Sequence, residues 1–149
     1  MNKKSWLICI GGLFIGLVLG YFIGILHAGS IMASGLTLLK ETELGHSGDV
    51  AFQAYQHESR PIAIYALSQD LATLQDAQQL VDDPASSFRL EVARRMMFVH
   101  ARLAKLGYGT NQISEALQCA QAAGPKFSSI TNESELSGMV AKFDQKGVY

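Results

Sequence analysis

The sequence predicts an all-α protein, with one N-terminal transmembrane helix followed by a small soluble bundle of helical hairpins. Three observations carry this. No Asp, Glu, Lys or Arg occurs between Ser5 and Leu39. The apolar residues beyond that stretch recur at helical spacings of three and four. No window shows the strict alternation or paired turn residues of a strand or hairpin.

The 149 residues leave room for one domain and an anchor. Twelve basic and thirteen acidic residues give a formal net charge of −1. A chain so balanced has no global field to attract nucleic acid, so no nucleic-acid partner is expected.

Trp6 to Ala28 reads WLICIGGLFIGLVLGYFIGILHA. As a helix rising ~1.5 Å per residue it spans about 34 Å, enough for a hydrocarbon core of about 30 Å. Trp6 stands where an interfacial ring belongs. Lys3 and Lys4 precede the run, and the first basic residue beyond it is Lys40, beside Glu41 and Glu43. The positive-inside rule therefore puts the N-terminus in the cytoplasm and the remainder outside it. In a bacterium with two membranes, this means the inner membrane and the periplasm. A cleavable signal peptide ending near Ala28-Gly29-Ser30 is the competing reading, and the apolar run is longer than the ~7 to 15 residues such a peptide uses.

Gly12, Gly16, Gly20 and Gly24 recur every fourth residue, and Ala28 continues the row. Residues four apart share a helix face, so these form a shallow groove where a second backbone packs closely. The expected partner is another membrane subunit or a second copy of the chain. His27, at the end of this helix, is expected to be an interfacial histidine rather than a haem ligand, because no second span supplies a facing ligand.

The expected organisation is residues 1–28 as cytoplasmic start and membrane helix, 29–48 as juxtamembrane stalk and 49–149 as helical domain. Glu43, Gly45, His46, Ser47 and Gly48 read as a break before the domain. Asp49 caps a short helix from Val50 to Glu58. Ser59 and Pro61 open a longer helix to about Val81, with Ala63, Leu67, Leu71, Leu74 and Val81 near one stripe. Asp83 and Pro84 start the next, which runs to Leu106 and stops at Gly107. Its core edge is Phe88, Val92, Met96, Val99, Leu103 and Leu106. Asn111 begins a shorter helix with Ile113, Leu117 and Ala120, ended by Gly124-Pro125. Asn132 and Glu135 form a capping-box pattern ahead of Leu136, Met139, Val140 and Phe143.

These elements make two antiparallel helix pairs and a terminal helix. Leu103 through Pro125 resembles a tetratricopeptide hairpin, but Gly107 and Ala116 stand farther apart than that family's pattern has them, and no membership is drawn.

Asp70 to Asp83 holds four acids and no base, whereas Arg89, Arg94, Arg95, Arg102 and Lys105 supply five of the twelve basic groups. The simplest expectation is pairing of solvated charges between neighbouring helices, each exposed pair giving at most about 1 kcal/mol. The functional expectation is a basic strip that docks an acidic partner or lipid headgroups.

No catalytic, cofactor or metal site is expected. His57-Glu58 would open a His-Glu-x-x-His zinc motif, but Pro61 stands where the second histidine belongs. His46 and Asp49 lack a third ligand. There is no Gly-x-Ser-x-Gly elbow, phosphate loop or Cys-x-x-Cys. Cys9 and Cys119 are expected to be small buried hydrophobes that do not bridge each other. The resulting expectation is a non-enzymatic, membrane-anchored interaction or assembly subunit. The alternative is a small-molecule or lipid-binding module with its ligand near Met96, Met97, Phe98 and Tyr108.

Overall fold

The structure, a computed structural model, describes residues 42–147. The chain divides into two compact units, Met1–Glu41 and Thr42–Tyr149, and the described residues belong to the second. The expected membrane helix and its row of Gly12, Gly16, Gly20, Gly24 and Ala28 lie outside the described residues, as do His27 and Cys9. Among the described residues no helix is long and apolar enough to cross a membrane.

Residues 42–147 are all-helical, without a strand among them. Helix α1 covers 42–57. It is followed by α2 (Arg60–Gln78), α3 (Ser87–Lys105), α4 (Gln112–Ala122) and α5 (Glu133–Lys146).

The first helix corrects the sequence reading. The stretch from Glu43 to Gly48, expected as a break, is helical throughout. Glycine within a helix costs about 1 kcal/mol relative to alanine. That cost is outweighed because Leu44, Gly48, Ala51 and Phe52 fall on one stripe and are all buried. Tertiary burial overrides local propensity here.

Ser59 caps α2 with extended backbone, and a proline occupies its first turn. The helix ends three residues before Val81, where the amides of Gln79 and Leu80 donate back to Asp76 and Ala77 carbonyls in a tightened turn. The start of α3 is also displaced. Asp83 does not cap it; the Asp83 carboxylate accepts from the Ala85 amide at 2.9 Å and closes a local turn. Ser86 takes over, its hydroxyl accepting from the Arg89 amide at 3.2 Å. Both capping-box residues of α5 are engaged, the return bond reaching the residue before the cap. Asn132 Oδ1 accepts from the Glu135 amide at 3.0 Å, and the Glu135 carboxylate accepts from the Thr131 amide at 2.9 Å.

Helix α3 is the hub. Val92, Met96, Val99 and Leu103 pack with Leu44 and Ala51 of α1 and Leu67, Leu74 and Ala77 of α2. The expected core edge is therefore present. A second edge of the same helix, Ala93, Met97, Phe98 and Ala101, meets Ala116 and Ala120 of α4 and Leu136 and Val140 of α5. The α4–α5 connection adds Phe127 and Ile130 to that second core.

The C-terminus of α3 turns at Gly107, with φ +68. Arg60, the first residue of α2, reaches this turn and donates from Nε to the Leu106 carbonyl at 2.6 Å. A Cβ at Gly107 would stand 3.0 Å from Arg60 Nη2. Gly107→Ala is expected to cost about 1–2 kcal/mol from the left-handed backbone alone. Urea unfolding checks this; an unchanged midpoint would contradict it.

Candidate functional site

The densest polar constellation centres on Arg102. A fully buried arginine needs both a charge partner and covered guanidinium faces. Arg102 is 0% exposed. Its Nε and Nη2 donate to Asp144 Oδ1 at 3.1 and 3.0 Å. Its guanidinium carbon lies 4.5 Å from the Phe52 ring centre and 5.5 Å from those of Tyr55 and Phe98. The Tyr55 hydroxyl donates to Asp144 Oδ2 at 3.2 Å, and Lys105 Nζ approaches that oxygen at 3.6 Å. Gln56 Nε2 donates to the Asp144 backbone carbonyl at 3.3 Å. One carboxylate on α5 thus ties together α1 and α3. Its polar partners are engaged within the fold, and it works as a clasp.

Arg102, one of the residues of the expected docking strip, is taken up by this clasp. Arg102 is inside the domain and presents no charge to a partner. Arg89 donates from Nη1 to the Val81 carbonyl at 2.8 Å and holds the α2–α3 connection. Arg94 and Arg95 both reach Glu91 on their own helix, with Nε to carboxylate distances of 2.7 and 2.9 Å. Burial pushes the Glu91 carboxyl up, but the Arg94 and Arg95 hydrogen bonds and charges outweigh it and hold the group below the usual carboxylate range. Lys105 is the most solvent-exposed of the four basic side chains of α3 seen in ion pairs.

No family model, curated protein or solved structure matches this chain.

Two surface grooves are found among the described residues. The first, about 460 Å³, has an apolar floor of Ala101, Leu136 and Val140 between α3 and α5, with Lys105 and Glu133 also lining it. The second, about 610 Å³, lies along α1 and the start of α2. Val50, Ala54 and Ile62 supply its apolar part; His46, Asp49, Gln53, His57 and Glu58 supply the polar part. His46 and Asp49 are thus brought to one groove with His57 and Glu58. No three His, Cys, Asp or Glu side chains among the described residues are placed to hold a metal ion. His100, buried on α3, is satisfied by Gln112 at 2.6 Å.

Met96, Met97 and Phe98 line neither groove: Met96 belongs to the core toward α1 and α2, and Met97 and Phe98 to the core toward α4 and α5. Tyr108 is exposed. Cys119 is half-buried, and burial followed by the nearby Glu115 charge pushes its thiol up to about 11. At pH 8 only about a thousandth of it is thiolate, the reactive form. Folded protein is therefore expected to alkylate at Cys119 far more slowly than urea-unfolded protein. Equal rates, read by mass spectrometry of the tryptic peptide, would contradict that placement.

Proposed function

We propose that this chain is a non-enzymatic, single-pass membrane-anchored assembly subunit. The reading is carried by one observation, the row Gly12, Gly16, Gly20, Gly24 and Ala28 within an uncharged stretch long enough to span a bilayer. Lipid chains fill such a row poorly, whereas a second helix gains close contacts along it. The helical unit from Thr42 is held outside the cytoplasm, on the charge bias of Lys3 and Lys4. Its role is to meet other protein at the membrane surface. The clasp around Asp144 supports a scaffolding reading, since its charges are directed inward to hold helices rather than outward to a substrate.

Solubilisation in mild detergent followed by particle-mass measurement tests this. Particles holding more than one protein chain are expected, and Gly16→Ile with Gly20→Ile is expected to dissociate them. A monomer with no co-purifying protein would overturn the proposal.

A second reading, a small-molecule or lipid-binding module, draws on the apolar-floored groove between α3 and α5. Native mass spectrometry that retained a stoichiometric ligand, lost on Ala101→Phe, would favour it over assembly.

A further inference from the structure

We infer, building on the ligand-module reading above, that the groove between α3 and α5 holds a short apolar peptide whose two ends are both free. The charges along the groove select this occupant. Of the described residues that line it, only Lys105 and Glu133 carry charge, and they are opposite in sign. Ala101, Ile113, Leu136 and Val140 make the apolar part between them.

The two charges stand at different ends. Lys105 Nζ lies 3.6 Å from Asp144 Oδ2, near the end of α5, whereas Glu133 is the first residue of that helix. At ~1.5 Å per residue, about 16 Å of helix separates the level of Asp144 from that of Glu133. Arg102 and Lys105 share the one Asp144 carboxylate, and Lys105 is the outer cation, its side chain 61% exposed. Its ammonium therefore keeps room for a second anion. The Glu133 side chain is exposed and takes part in no hydrogen bond or ion pair among the described residues.

A ligand matched to this outline carries an anion at one end, a cation at the other and apolar groups between. A fatty acid answers Lys105 but lays its tail against Glu133, and a cationic amphiphile fails in the opposite way. The end of a folded protein brings one of the two charges. A free peptide brings both, and at ~3.3–3.6 Å per extended residue about five residues cover the span. Its carboxylate then meets Lys105 and its ammonium Glu133. Ser137, also lining the groove, offers a hydroxyl to one backbone group, and the outer edge of the peptide stays in water. The space of about 460 Å³ falls within the ~300–1,000 Å³ of ordinary ligand sites.

The test is isothermal titration of the full chain in neutral-lipid nanodiscs with the pentapeptide Ala-Leu-Ala-Leu-Ala. The free peptide is expected to bind, and N-acetylation or C-amidation each to weaken it about fivefold, the most an exposed ion pair contributes. In Glu133→Gln, acetylation is expected to have no further effect while amidation keeps its own. In Lys105→Gln the two are expected to exchange roles. Penalties that persist unchanged in both variants would overturn the inference, because the termini would then be meeting other groups. A peptide capped at one end that binds as tightly as the free one would overturn it too, and would point to a protein terminus instead. If the pentapeptide does not bind while native mass spectrometry retains another ligand, the peptide assignment fails and the ligand-module reading stands. If neither is seen, both fail.

Discussion

Replacing Asp144 with alanine is expected to destabilise the helical unit by about 3–5 kcal/mol, because the substitution leaves the Arg102 charge buried without its carboxylate. That is a large fraction of the ~5–15 kcal/mol typical of a whole domain. Arg102 has no exposure through which to reach water. Asp144 also accepts from Tyr55 and neighbours Lys105, so the loss extends to α1 as well as α3. The double variant Arg102→Met, Asp144→Ala removes both charges and is expected to recover much of the loss, since an apolar replacement of a buried pair is often near neutral. Thermal and urea unfolding of the single and double variants measure this. A cost below 1 kcal/mol for Asp144→Ala would show that the clasp contributes little.

Phe98→Ala is expected to cost a comparable 3–5 kcal/mol. Phe98 is fully buried at the point where α3 meets the second core. Its ring packs 4.8 Å from that of Phe143 and stands edge-on to Phe127 at 6.5 Å. The Arg102 guanidinium also lies against this ring, so truncation opens a cavity and uncovers a face of a buried cation. Phe143, only partly buried, is expected to tolerate the same truncation at a smaller cost. Equal losses at the two positions, compared by denaturant unfolding, would contradict this ranking of the rings.

The contrast between what the sequence discloses and what it conceals follows the range of the interactions. Local signals are legible: Ser59 with Pro61, the Asn132–Glu135 box and the stop at Gly107 all sit within a turn of the feature they mark. The α2 stripe of Ala63, Leu67 and Leu74 is buried as its spacing implies. Where two local signals compete, the outcome depends on packing. Asp83 and Ser86 are both good caps, and Asp83 is drawn into a turn with Ala85. Gly45 and Gly48 read as breakers until the stripe of Leu44, Ala51 and Phe52 is noticed beside them.

The second buried edge of α3 leaves a weaker trace, because Ala93, Met97 and Ala101 recur every fourth residue but two of the three are alanines. The clasp leaves almost none. Arg102 looks like one member of a basic series, and its partner Asp144 is 42 residues away. Spacing rules relate residues within a helix and are silent on such a pair. The one available hint is its apolar setting, with Phe98, Val99, Ala101 and Leu103 around it.

Alkaline carbonate washing of membranes, followed by N-terminal sequencing of the retained chain, bears most directly on the anchored-subunit proposal. The account predicts a chain that stays with the bilayer and still begins ahead of Trp6. Release into the wash, or a mature terminus beyond Ala28, would contradict it.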